Sequence, residues 1–278
     1  MKVAAVQLNA GPDPVANLAA ADRHVRAAAA DGARLVVLPE KWNVLGRPEH
    51  IRAGAEPIDG RAITWARETA RALAIDLIAG SIAESIPGHA KLSNTSLHIG
   101  PDGEIQATYR KIHQFDVTVD GTEYRESDDE DAGDEVVTTH AEDGTQIGLS
   151  ICYDLRFPEL YRELAQRGAR ILAIPSAFTL PTTRDHWELL VRARAIENQA
   201  FVIAANQVGE HAKGLRSGGR SLIVDPWGLV LATAPDTTGH VIADLDLTRQ
   251  DEIRARMPVL ENAKLLKRRA AAPAGVVA

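Results

Sequence analysis

Three residue types able to carry acyl-transfer chemistry stand where apolar strands stop. Glu40 follows Leu35-Val36-Val37-Leu38, Lys111 follows Ile105–Arg110, and Cys152 follows Gln146–Ile151. In open α/β sheets, sites are assembled at the carboxyl ends of strands. Cys152 also precedes a helical pattern with Pro158 in its first turn. A cysteine at such an elbow lies near backbone N–H groups that favour a thiolate and can bind an oxyanion. A free thiol of pKa about 8.5 is only a few per cent ionised at neutral pH, so it needs a base or a cation beside it. A glutamate near 4.3 lies about four units lower, a mismatch of roughly 6 kcal/mol. Burial of the carboxylate and a nearby ammonium would narrow that gap. The ammonium would also face the negative oxygen of a tetrahedral intermediate, where one such donor is worth about 3 kcal/mol. Singly, each residue has an ordinary role: a buried core thiol, a loop or cap carboxylate, a solvated edge-strand charge. Together, at strand ends of one apparent sheet, they suit acyl transfer from an amide without a metal.

The elements that would position them alternate along the chain. Strands are expected at Val3–Leu8, Leu35–Leu38, Leu77–Ser81, Leu92–Ile99, Ile105–Arg110, Gln146–Ile151, Arg170–Ile174, Ala200–Ala205, Ser221–Val224, Leu229–Ala232 and Val241–Leu245. Helical patterns run from Asp13-Pro14 to Ala30, and over Ala62–Leu73, Pro158–Gln166 and Asp185–Glu197. Pro101-Asp102-Gly103 and Pro226-Trp227-Gly228 read as hairpin turns. About eleven strands interleaved with these helices, in both βα alternation and hairpins, imply large mixed sheets with helices on their outer faces. No repeat is visible. Residues 264–278, basic and then Ala/Pro/Gly-rich, read as a flexible tail.

Composition narrows the class. With 278 residues the chain can bury a large core unaided, and a single cysteine excludes an intrachain disulfide framework. Thirty-eight acidic against 31 basic residues, a net charge of −7, argue against a nucleic-acid partner. Gln7 interrupts the first apolar run, so no secretory segment is expected, and no window approaches a membrane helix. The expected location is the cytoplasm.

The stretches LVVLPEKW around Glu40, ATYRKIHQFDV around Lys111 and LSICYDLRFPELYRELAQRGA around Cys152 resemble the nitrilase superfamily of carbon-nitrogen hydrolases. The likeness continues through IPSAFTLPTTRDHWELLVRARAIENQAFVIAANQVGEH to SLIVDPWG, almost the whole chain before the tail. The nearest branch is similar to the one containing omega-amidase and deaminated-glutathione amidase. The resemblance implies an α/β fold, a four-layer αββα sandwich of two mixed β-sheets with helices on the outer faces, over residues 1–263. It implies no cofactor and no metal. Glu40 would be the general base, Lys111 the cation for the intermediate, and Cys152 the nucleophile forming a thioester; the Tyr153 N–H would help hold the oxyanion. A second family glutamate falls on Glu126, in ESDDEDAGD, where Ala132 stands in the place of a common proline. The rest of 126–135 reads as a solvated acidic loop, and its spacing does not fit a calcium loop. Asn94, Tyr153, His186 and Arg184 are candidate substrate contacts, with Arg184 able to take a substrate carboxylate. Arg156 is expected to brace the elbow through an internal ion pair. The implied partner is a small amide, cleaved to a carboxylic acid and ammonia, and relatives imply a homodimer or higher homo-oligomer.

Competing readings are weaker. Gly148-Leu149-Ser150-Ile151-Cys152 mimics most of a G-x-S-x-G elbow, yet cysteine occupies the second glycine's place and Ser150 falls inside the strand. No histidine pair brackets a glutamate at metalloprotease spacing. Hydrolysis of a nitrile or an N-carbamoyl amino acid, or a non-catalytic binding protein of the same fold, remains open at this level.

Overall fold

The computed structural model describes residues 1–264; beyond Lys264, the expected tail lies outside the described residues. The amino-terminal half contributes β1 (Lys2–Gln7), α1 (Pro14–Ala30), β2 (Leu35–Val37), α2 (Pro48–Ala53), α3 (Arg61–Leu73), β3 (Asp76–Ile78), β4 (Ile82–Ser85), β5 (Leu92–Ile99) and β6 (Ile105–Arg110). A hairpin, β7 (Asp116–Val119) and β8 (Thr122–Arg125), leads into the short helix α4 (Glu126–Asp129). Then come β9 (Thr138–His140), β10 (Gln146–Leu149), a 3-10 turn at Cys152–Arg156, α5 (Pro158–Gln166), β11 (Ile171–Ser176), α6 (Leu180–Thr182), a π turn at Thr183–Trp187 and α7 (Glu188–Asn198). The chain closes with β12 (Phe201–Asn206), β13 (Val208–Ala212), β14 (Leu215–Gly218), β15 (Leu222–Val224), β16 (Val230–Thr233), β17 (Gly239–Asp244) and α8 (Leu247–Arg256).

Two mixed sheets result. One has the order β17-β1-β2-β3-β5-β4 with β6 paired to β5; the other has the order β16-β15-β12-β11-β10-β9. β1 shows why they stack. Alternate side chains point to opposite faces of a strand, so Val3 and Ala5 join the core shared with the second sheet. Ala4 and Val6 pack under the helices with Ala21, Val25 and Ala28 of α1 and Ala62, Ile63 and Ala66 of α3. α5 and α7 cover the other sheet, Leu160, Leu164, Val191 and Ala195 joining Ile147, Ile171 and Val202. The expected layering of helices, two sheets and helices is the observed one. Asp13 caps α1 by accepting from the Val15 and Ala16 N–H groups, with Pro14 in the first turn.

Two expectations change. Leu77–Ser81 is not one strand: β3 ends at Ile78, the chain bends at Gly80 (φ +53), and β4 begins at Ile82. A Cβ on Gly80 would stand 2.1 Å from the Pro39 carbonyl oxygen, so the close approach that seats Pro39-Glu40 requires glycine. Six further strands were not expected: β4, β7, β8, β9, β13 and β14. β7–β8 and β13–β14 each form a separate two-stranded sheet, and most of their residues are partly or fully exposed, so neither carries the apolar signal of a buried strand.

Candidate active site

The three strand ends converge, but from two sheets rather than one. β2 and β6 deliver Glu40 and Lys111 from the first sheet, and β10 delivers Cys152 from the second. Glu40 is 4% exposed, Lys111 3% and Cys152 7%. The Lys111 ammonium lies 3.0 Å from Glu40 Oε1 and 2.8 Å from Glu126 Oε2. Asn94 donates to Glu40 Oε1 at 2.8 Å, and the Ala177 N–H donates to Glu40 Oε2 at 2.9 Å. Both carboxylate oxygens of Glu40 are therefore fixed. The Phe115 N–H donates to Glu126 Oε2 at 2.7 Å.

Cys152 holds a left-handed backbone conformation, φ +48, at the turn from strand to helix. A side chain there costs on the order of 1–2 kcal/mol, so the elbow must be held. Asp154, wholly buried, holds it: Oδ2 accepts from the Ile151 N–H (2.8 Å) and the Tyr109 hydroxyl (2.6 Å), and Oδ1 from the His113 N–H (3.1 Å). This ties the cysteine elbow to the end of β6 and to the loop that carries Lys111.

Charges set the resting protonation. Burial pushes the Cys152 thiol well above its ordinary value; Glu40 adds to this, and Lys111 opposes it. Burial works to depress the Lys111 ammonium, but Glu126 and Glu40 outweigh it and hold it well above its ordinary value. Burial would raise Glu126, yet Lys111 and Lys41 hold it below the ordinary carboxylate range. The buried surroundings and Glu40 thus favour the thiol form of Cys152, with the Glu40 carboxylate as a neighbouring acceptor.

These residues floor a cleft of about 360 Å³, walled in part by Phe115, Tyr153 and Phe178. Of the candidate contacts, Tyr153 lines the cleft and Asn94 reaches it through Glu40. Arg184 and His186 do not line it. Arg184 pairs with its neighbour Asp185 and is 69% exposed, on the outward side of the π turn whose Thr183 and Trp187 are buried. His186 accepts from Arg156 at 3.3 Å. Arg156 makes no ion pair among the described residues; its guanidinium lies over the Tyr153 and Phe178 rings. Ser150 is buried, and its hydroxyl donates to the Ala173 carbonyl, as its place inside the strand required.

The acidic segment is more ordered than a solvated loop. Glu126 and Glu130 turn inward onto the Lys41 ammonium, and Gly133, whose Cβ would stand 2.3 Å from the Arg110 carbonyl oxygen, packs against the end of β6. Lys41, Glu130 and Asp154 were not foreseen. Their signal is present in hindsight: a lysine directly after Glu40, one glutamate within an acidic run, and an aspartate two residues past the cysteine.

A family model for carbon-nitrogen hydrolases matches residues 2–255. The chain is 39% identical over 262 residues to the deaminated glutathione amidase of a Synechocystis strain, covering 93% of this chain and 96% of that one. It is 40% identical over 259 residues to the Homo sapiens omega-amidase NIT2, covering 93% of each. The solved structure of Saccharomyces cerevisiae Nit3, a member of branch 10 of the nitrilase superfamily, superposes with a TM-score of 0.85 at 31% identity over 93% of this chain and 94% of that one. With this sequence coverage, a closely superposing fold and a lone cysteine facing a carboxylate and an ammonium, the chain belongs to the carbon-nitrogen hydrolase family, among relatives that are amidases.

Proposed function

We propose that the protein hydrolyses the terminal carboxamide of a small carboxylate- or keto-acid-bearing molecule to a carboxylic acid and ammonia, through a thioester on Cys152. The observation that carries this reading is the buried contact of Lys111 with both Glu40 and Glu126, beside a thiol whose proton Glu40 can accept. In the first half-reaction Glu40 takes the thiol proton while sulfur bonds to the amide carbon. The oxyanion faces the Lys111 ammonium and the Tyr153 N–H. The proton passes from Glu40 to the amide nitrogen, the C–N bond breaks, and ammonia leaves. Glu40 then takes a proton from water, whose oxygen attacks the thioester; the carboxylic acid departs and the proton returns to sulfur. General-base help of this kind contributes about 10²–10⁴-fold.

The acidic character of the substrate is supported by the cleft wall, which carries seven lysine and arginine side chains against five carboxylates in a protein of net charge −7. Arg52 is paired to Asp129, and Arg125 to Glu123. Arg216, and Arg47 whose guanidinium donates to the Lys213 carbonyl, have no carboxylate partner among the described residues. They are suited to a substrate carboxylate in the place first expected of Arg184. The test is ammonia release from 2-oxoglutaramate, deaminated glutathione, simple aliphatic amides, a nitrile and a carbamoyl amino acid, with Cys152→Ala beside the wild type. Release from an anionic ω-amide, lost in the variant, supports the reading. Preference for the nitrile or the carbamoyl amino acid would replace it.

A further inference from the structure

Two buried charges adjoin the site without a part in the proton transfers above. Lys41 is 7% exposed and Glu130 4%. The Lys41 ammonium lies 3.1 Å from Glu126 Oε1 and also contacts Glu130 Oε1, while Glu130 Oε2 is buried without a hydrogen-bond partner. Burying an ion such as the Lys41 ammonium carries an effective penalty of several kcal/mol, and the backbone carries another, because Lys41 is left-handed at φ +48. That conformation, fixed by the bond from the Lys41 N–H to Ser81 Oγ at 3.0 Å, brings consecutive side chains to one place. Glu40 reaches Lys111, and Lys41 reaches Glu126 on the side away from the Phe115 N–H. A latch for the acidic segment could have been made at the surface, as Arg52 and Asp129 already make one.

We propose that Lys41 is a positioning residue for the reaction: it holds Glu126 ionised and in place when the Lys111 ammonium turns to the developing oxyanion. Without it, Glu40 and Glu126 would share one ammonium at the moment a third negative charge forms beside it. The groups facing Glu126 are Lys111 and Glu40 from the strand ends, Lys41, Glu130 from the following segment, and Asp116 through the Ser127 N–H. Of these, Lys41 and Lys111 supply the positive charge, and Lys111 is the one the reaction employs. This inference rests on the amidase reading above and adds to it a residue whose charge acts through Glu126.

The test uses the full chain and the ω-amide it hydrolyses, with kcat and KM measured from pH 5 to 9 for Lys41→Met, Lys41→Arg, Cys152→Ala and the double variant Lys41→Met with Glu130→Leu. The expected result for Lys41→Met is a kcat at least tenfold lower, a KM within about twofold, and an acid limb of kcat moved to higher pH, because Glu126 loses a counter-charge. Lys41→Arg restores both kcat and the limb. The double variant removes the buried charges together, which commonly preserves folding, and retains the low kcat and shifted limb. An unmoved acid limb in Lys41→Met overturns the proposal, as does recovery of wild-type kcat and limb in the double variant, since Lys41 would then serve only Glu130. Activity persisting in Cys152→Ala would instead remove the chemistry on which the proposal stands.

Discussion

Replacing Glu40 by glutamine separates two things that loss of a base and loss of a fold would confuse. Glutamine keeps the shape, and its amide oxygen can accept from Asn94 and Lys111 as Glu40 Oε1 does. Its NH₂ must then meet the Ala177 N–H, which donates to Glu40 Oε2 at 2.9 Å. One buried donor is left unpaired, at about 1–3 kcal/mol, so the protein still folds with a lower melting temperature. Ammonia release should fall about 10²–10⁴-fold, about 3–5 kcal/mol of barrier. The thiol should become more reactive, not less. Glu40 is one of the groups that hold the Cys152 thiol up, and Lys111 opposes it; with the carboxylate removed, the ammonium faces the sulfur with less opposition. Because Cys152 is the single cysteine of the chain, its alkylation by iodoacetamide followed against pH reports this directly. The variant should label faster at pH 7, with its inflection at lower pH than the wild type. Slower labelling with an inflection unmoved or higher would refute the contact between Glu40 and Cys152 and the resting thiol.

Tyr109→Phe removes a 2.6 Å bond to the buried Asp154 carboxylate; at about 1.5–3 kcal/mol for a bond to a charged group and 2–4 °C per kcal/mol, thermal unfolding should drop by about 3–12 °C. Arg216→Leu should raise KM for an anionic ω-amide about threefold to tenfold, less than the about 1.5–3 kcal/mol of a charge-assisted bond because the residue is exposed, and leave a neutral amide unaffected; Arg184→Ala, outside the cleft, should change neither. Burial first, then Glu126, push Glu130 up to about 7 against the pull of Lys41, whereas in the unfolded chain it loses its proton near 4.3. The folded state therefore binds the extra proton between those values, and stability from this group falls as pH rises through that window. Glu130→Gln should remove that slope, so its melting temperature relative to wild type improves from pH 5 to pH 8.

Where hydrophobic pattern and chemistry coincide, the sequence was informative. Glu40, Lys111 and Cys152 stand out because each interrupts a run that has to be buried, and Asp13-Pro14 marks a helix start by its capping chemistry alone. Which sheet each strand joins is a long-range choice, so Glu40 and Lys111 on one sheet and Cys152 on the other read as a single apparent sheet. The hairpin Asp116–Arg125 did carry a local sign, Asp120-Gly121, with both residues at positive φ; its polar strands hid it. Lys41 and Glu130 are legible only as a pair, because a buried lysine beside a catalytic-type glutamate makes sense once a carboxylate from the acidic run is seen to reach it. Arg184 could not be placed from sequence because Thr179 and Thr182, just before it, border the cleft while Arg184 itself lies on the exposed side of the π turn.

The central claim is a covalent intermediate on Cys152, and mass spectrometry of the protein quenched during turnover of an ω-amide tests it most directly. The account predicts an intact mass increased by the substrate less ammonia, located on the peptide containing Cys152, lost on incubation in water and absent from Cys152→Ala, which releases no ammonia. An adduct on another residue, or ammonia released by Cys152→Ala at the wild-type rate, would contradict it.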